Sequence, residues 1–208
     1  LASFVETEME NFLCGYHYDR QLDQPRHIEV FGEKNTLIQI LKPVCREFYV
    51  PLSLGRGYCS LPVWLDIANR FKKSGKKAMT LIVCSDYDPE GLDLGDDAIR
   101  TLRDLWGIPV DYHRVGVNRE QIDDLGIAAD FNPAKESSSR FNAFVERTGG
   151  EKTWELEALP PQYLQDLVRE AILENLDGEI YGKTVEREQN DAEELQRIRH
   201  EIVDSFNF

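Results

Sequence analysis

The 208 residues carry 38 Asp/Glu against 24 Lys/Arg, a net charge of −14, and 41% of them are hydrophobic. That length and apolar share suit one large globular domain, or a domain with an appendage. The charge argues against a stand-alone binder of long duplex DNA, which carries a basic face. A catalytic module that reaches a few phosphates through metal ions remains open.

No apolar run reaches the length of a membrane span, and none has the layout of a signal peptide. Cys14, Cys45, Cys59 and Cys84 are scattered, with no C-x-x-C pair. Reduced thiols in a cytoplasmic protein are the expectation, and a zinc site is not. The first residue is Leu1 rather than Met. This suggests a fragment or a processed chain, with a further domain upstream.

Residues 1–25 read as a polar lead-in, helical or loose, ending at Pro25. "HIEVFGE" (27–33) reads as a first strand, and "KNTLIQILKPV" as a helix broken by Pro43. "EFYVPLSLG" (47–55) reads as a second strand running into the turn Gly55-Arg56-Gly57. In "LPVWLDIANRFKKSG" (61–75), Val63, Trp64, Ile67 and Phe71 fall at helical spacing, with Gly75 as the stop. "KAMTLIVCS" (77–85) is apolar nearly throughout, as in a strand buried on both faces.

The next helix turns Ala98, Leu102 and Leu105 inward, and "IPVDYHRVGV" (108–117) supplies a fourth strand. Asn118 and Gln121 have the spacing of a capping box opening a short helix. A polar loop, "DFNPAKESSSR", follows, and "TWELEAL" (153–159) reads as a last strand. Two amphipathic helices close the chain, the second with Leu195, Ile198, Ile202 and Phe206 on one face. Residues 151–208 hold 15 acidic and 6 basic side chains.

Strands alternating with helices over short connections predict an α/β fold. Its core is a Rossmann-like parallel sheet of four to five strands, flanked by helices and followed by a C-terminal helical extension. The expected division is a lead-in over 1–25, a metal-binding domain over 26–159, and helices over 160–208 that pack on the sheet or on a partner.

The chemistry concentrates at strand ends, where open α/β sheets gather their ligands. Glu33 follows the first strand, and Gly55-Arg56-Gly57 the second. After the third come Asp86, Asp88, Glu90, Asp93, Asp96 and Asp97. Carboxylates this close raise the cost of ionising one another, and a bound divalent cation would offset it. Alternation sends Asp86 and Asp88 to one side and Tyr87 to the other. Oxygen donors of this kind suit Mg²⁺ or Mn²⁺. Glu33, Asp86, Asp88 and Glu90 are the expected metal ligands, the first three also catalytic, and Lys34 and Arg56 the phosphate contacts. Asp93, Asp96 and Asp97 read as first-turn helix charges. The four histidines show no ligand spacing, and Trp64 and Trp106 sit at core positions.

Glu33-Lys34 after a first strand, Gly55-Arg56-Gly57, and Asp86-Tyr87-Asp88-Pro89-Glu90-Gly91 after a later strand resemble the Toprim domain. They are most similar to the group formed by the DNA-cleaving subunit of topoisomerase VI and its meiotic double-strand-break relatives. Glu90 departs toward the D-x-D-x-E-G form of type IA topoisomerases. The similarity runs over roughly residues 27 to 177.

The resemblance implies Mg²⁺-dependent attack on a DNA phosphodiester. It also implies a winged-helix domain or subunit bearing a nucleophilic Tyr, a possible homodimer, and an intracellular, nucleoid-associated setting in a bacterium or phage. Tyr16 and Tyr18 lie in no recognisable helix-turn-helix context. Two other readings stand beside the topoisomerase-like one. One is a hydrolytic Toprim nuclease of phage defence or repair, and the other is a non-catalytic assembly module.

Overall fold

The computed structural model describes residues 4, 7–8, 11–12, 14–55, 61–129 and 133–205. It holds a four-stranded, all-parallel sheet in the order β2-β1-β3-β4, built from β1 (His27–Gly32), β2 (Leu52–Leu54), β3 (Met79–Cys84) and β4 (Val110–Gly116). Helix α1 (Ile38–Glu47) follows a 3₁₀ turn at Asn35–Leu37 and leads to β2. α2 (Leu61–Ser74) returns the chain to β3, and α3 (Pro89–Trp106) connects β3 to β4. Then come α4 (Arg119–Leu125), α5 (Phe141–Thr148), a 3₁₀ turn at Leu156–Ala158, α6 (Pro161–Asn175) and α7 (Gly178–Ser205). The expected α/β fold with a parallel sheet, flanking helices and a long C-terminal helix is therefore present.

The sheet is covered on both faces, which is why β1 and β3 are buried at every position. Phe31, Leu81 and Val83 pack with Trp64, Ile67 and Phe71 of α2 and with Leu94, Ala98 and Leu102 of α3. α1 and α6, which lie against one another, bury Leu41, Val44, Leu164, Val168 and Ile172.

Gln24–Leu176 form one compact unit; Leu1–Asp23 and Asp177–Phe208 form another. Within the smaller unit the lead-in runs along α7. Tyr16 donates to Asp191 at 2.5 Å, and Arg20 Nε meets Glu188 at 2.7 Å. Leu195, Ile198 and Ile202 are half-buried, while Phe206 lies outside the described residues. Among the described residues, no helix is long and apolar enough to cross a membrane.

Four elements depart most from expectation. α1 runs through Pro43 rather than breaking there. The carbonyl that Pro43 leaves unbonded belongs to exposed Gln39, within reach of water, while Leu41, Val44 and Cys45 hold the helix to the core. The second strand shrinks to Leu52–Leu54, because α1 continues through Glu47 and Tyr49 turns left-handed (φ 57°) before Pro51. The expected last strand, 153–159, is one antiparallel bridge, Trp154 to Tyr87, followed by the 3₁₀ turn. Finally, α5 buries only Phe144, too little apolar signal to mark a helix in the sequence.

α3 carries Gly95 where the Tyr112 ring of β4 lies against the helix; an added Cβ would stand 2.0 Å from Tyr112 Cζ. Replacing a helix-interior Gly by Ala ordinarily stabilises by about 1 kcal/mol. Here the clash reverses the sign. Gly95→Ala should lower stability by about 1–3 kcal/mol, read from the urea midpoint. The loss should disappear in a Tyr112→Ala background, where the ring is gone.

Candidate functional site

The order 2-1-3-4 makes the carboxyl ends of β1 and β3 the place where the chain departs in opposite directions. From β1 it leaves toward β2, and from β3 toward β4. Such a switch point opens a crevice between two strand ends. Glu33 leaves β1 there, its backbone N–H donating to Cys84 O at 3.0 Å. Gly55 N–H donates to Gly32 O at 2.8 Å, bringing the start of the G-x-G turn to the same end of the sheet. Arg56 and Gly57 lie outside the described residues.

Glu33 and Asp86 are each only 6% exposed. The Asp86 N–H donates to Glu33 Oε2 at 2.9 Å. Asp86 Oδ1 accepts from Leu156 N–H at 2.9 Å, and Lys34 Nζ lies 2.9 Å from Oδ2. Lys34 also reaches Glu157 at 3.4 Å and Glu155 at 3.5 Å. Asp88 caps α3, its Oδ1 accepting the Gly91 N–H at 2.6 Å. The glycine of the motif has a steric reason: a Cβ on Gly91 would stand 2.3 Å from Asp86 O. Ser85 Oγ, donating to Gly91 O at 2.8 Å, closes the turn from the other side.

The structure brings Glu33, Lys34, Asp86 and Asp88 together. Glu90 turns aside and accepts from the Ser138 hydroxyl at 2.6 Å. Asp93 pairs with Arg140 at 2.5 Å and with Arg100 at 3.7 Å, and Arg100 reaches Asp97 at 3.6 Å, as fits helix-surface charges. Tyr87 points away from the carboxylates into an aromatic cluster, T-shaped to Trp154 at 5.6 Å and to Phe144 at 5.8 Å.

Two participants carry no motif. Arg114 of β4 reaches under the turn and donates to Ser85 Oγ at 3.1 Å, Ser85 O at 3.2 Å and Asp86 O at 2.8 Å. It lies at the point where the β3–β4 register slips, Cys84 pairing with Gly116 after Val83 pairs with Arg114. Leu156, in the second case, contributes only its backbone N–H. Its one sequence signal is the "WELEAL" stretch.

Burial raises the Glu33 carboxyl to about 7, with the charges of Asp86 and Asp88 adding to it. Burial also raises Asp88, with Asp86 and Glu90 contributing. Burial alone would lower Lys34, but its hydrogen bond to Asp86 and the negative charges around it push it up. Burial lowers Arg114.

These oxygen donors suit a hard divalent cation, and Lys34 already places a positive charge on Asp86. Among the described residues, no three His, Cys, Asp or Glu side chains converge into a ready metal cage. A divalent ion shared by Glu33 and Asp86 therefore competes with Lys34 for Asp86 Oδ2, while the cap on α3 engages only Oδ1 of Asp88.

No protein-family model, curated protein or solved structure matches this chain.

A carboxyl raised in the folded state binds its proton more tightly there than in the unfolded chain. Stability therefore falls as pH rises from the ordinary value of 4.5 to about 7. Glu33→Gln keeps an acceptor for the Asp86 N–H and removes the charge. In chelator it should leave stability nearly unchanged at about pH 4 and raise it by roughly 2–3 kcal/mol at about pH 8. Urea melts across that range check this; a difference independent of pH would clear Glu33 of the effect.

Proposed function

We propose that this chain is a Mg²⁺-dependent, Toprim-type module acting on DNA phosphodiesters, in the manner of the DNA-cleaving subunit of topoisomerase VI. The observation that carries the reading is the meeting of buried Glu33 and Asp86 at the switch point, with Asp88 beside them. Glu33, Asp86 and Asp88 would hold Mg²⁺, or Mn²⁺ in its place, which when bound polarises a phosphoryl oxygen and steadies the leaving oxygen.

The chain's own residues have distinct parts. Arg114 and the Leu156 N–H fix Asp86. Glu33, poised near neutrality, accepts or returns a proton at the attacking or leaving oxygen. Lys34 serves a phosphate oxygen once it lets go of Asp86, Glu155 and Glu157. Tyr87, buried against Trp154, supplies no nucleophile. Transesterification therefore draws its Tyr from a winged-helix domain or partner subunit, whereas hydrolysis needs only water. With a net charge of −14, the chain alone binds DNA weakly.

A non-catalytic assembly module is favoured instead by one feature: Lys34 already neutralises Asp86, with no converging group of three around it among the described residues.

Calorimetric titration with Mn²⁺ separates the readings. Binding by the parent that is lost in Asp86→Asn and Asp88→Asn supports the metal reading, and variants that bind as the parent does sink it. A parent that binds no Mn²⁺ leaves the assembly reading. With labelled DNA and Mn²⁺, the expected outcome is slow nicking that disappears in Glu33→Gln, with no label left on the denatured protein. A stable adduct at Tyr16 or Tyr18 would make the chain a transesterase in itself.

A further inference from the structure

Behind the β3–α3 turn, on the Tyr87 side, two cavities of about 320 Å³ each share the same wall of Arg119, Lys152 and Trp154. Each is near the lower size limit for small-molecule sites. One extends past Ile122 and Gly126, the other past Tyr87 and Gly149. Gly126 and Gly149 end α4 and α5 in the left-handed conformation, and neither has an atom within 4 Å of where a Cβ would stand. Each cavity is thus lined at one edge by a glycine that ends a helix.

The shared wall is cationic at its surface, with the Trp154 indole, 4% exposed, buried behind it. The Trp154 indole is fixed by donating to Ile127 O at 3.1 Å, and the Arg119 guanidinium lies 6.0 Å from its ring centre. Among the described residues, the ion pair of Arg119 is with Asp123, exposed, at 2.9 Å along one helix face. Pairs of that kind contribute about 0.3–0.5 kcal/mol, so the guanidinium is readily redirected. Lys152 is exposed. The opposing charges are Asp123 in one cavity and Glu151 in the other, both exposed.

Two equal spaces divided by one cationic ridge match a repeating ligand whose bulkier groups alternate with anionic links. We propose that this trough binds two successive nucleotides of a single DNA strand. The phosphate between them rests on Arg119 and Lys152, and one base enters each cavity. Tyr87 forms part of this trough and sits between Asp86 and Asp88 in the chain, so a strand held here lies next to the turn that carries the carboxylates. The inference rests on the nucleic-acid reading of those carboxylates and adds where the strand is held. Backbone charge met by Arg119 and Lys152 would supply most of the affinity, without base-specific contacts.

The test is fluorescence anisotropy of a labelled octathymidylate with the full chain, in Mg²⁺ and about 50 mM salt. Arg119→Ala/Lys152→Ala should weaken binding at least about tenfold, since it removes both phosphate contacts. Asp123→Asn, which frees Arg119, should tighten it a few-fold. Asp104→Asn, an equal charge change on exposed α3, should leave it unchanged. Thermal melts confirm that each variant folds.

Asp86→Asn separates the two proposals. It should lose Mn²⁺ binding and nicking yet keep its affinity for the oligonucleotide. Parent-like binding by the double variant overturns the trough, as does a parent that does not bind the oligonucleotide. Equal tightening by Asp123→Asn and Asp104→Asn also overturns it, because that is bulk charge rather than a site. Loss of oligonucleotide binding in the double variant supports the trough even where Mn²⁺ binding fails.

Discussion

Much of the larger unit converges on Asp86, a carboxylate 6% exposed at the end of a buried strand. A group placed there needs partners for every oxygen and every backbone atom around it. Glu33 takes its N–H, Arg114 its carbonyl, Leu156 and Lys34 its two carboxylate oxygens. These partners come from separate parts of the chain: the end of β1, the strand β4 and the 3₁₀ turn before α6. Satisfying one side chain thus ties together segments more than a hundred residues apart in sequence. The same need accounts for Gly91, because no Cβ fits beside the Asp86 carbonyl.

A second buried carboxylate shows what a different set of partners does. Glu29, in the middle of β1, has no exposed surface. Its oxygens receive Arg70 of α2, the Ser53 hydroxyl of β2 at 2.8 Å and His27 at 3.1 Å. A guanidinium and a hydroxyl match a carboxylate closely, so Glu29 serves to bind β1, β2 and α2 to one another. Glu33, four residues on, faces carboxylates instead, with the Asp86 N–H to set against them. The same residue type is therefore charge-paired in one setting and, in the other, buried against like charges that raise its proton affinity.

The turn after β3 carries two environments on opposite sides. Asp86 and Asp88 face the crevice, while Tyr87 enters the cluster of Trp154 and Phe144. The antiparallel bridge between Tyr87 and Trp154, with N···O distances of 2.8 and 3.1 Å, holds that turn from behind. The ring contact and the hydrogen-bonded backbone pair both lie behind the turn.

The sequence by itself determined the parallel α/β class, the helix boundaries of α2, the Asn118–Gln121 capping box, and the strand-end positions of Glu33, Asp86 and Asp88. These rest on local periodicity, caps and turn residues, which act over a few positions. Tertiary structure decided the rest. α3 starts at Pro89, ahead of the expected Leu92, and leaves Leu105 exposed rather than inward. Pro43 stays inside a helix because the buried side of α1 outweighs one lost hydrogen bond facing water. Residues 153–159 form no strand: Trp154 makes one bridge to Tyr87, the Leu156 N–H goes to Asp86, and Ala158 and Leu159 turn back onto Glu155 and Leu156. Glu90 leaves the cluster for Ser138, although its spacing matches that of a ligand. Arg114 reads as one more polar residue on a strand until β4 is laid beside β3 and it comes to rest beneath the turn. Whether a buried carboxylate meets a cation or other carboxylates was decided by the fold, because burial and opposing charge are properties of neighbours distant in the chain.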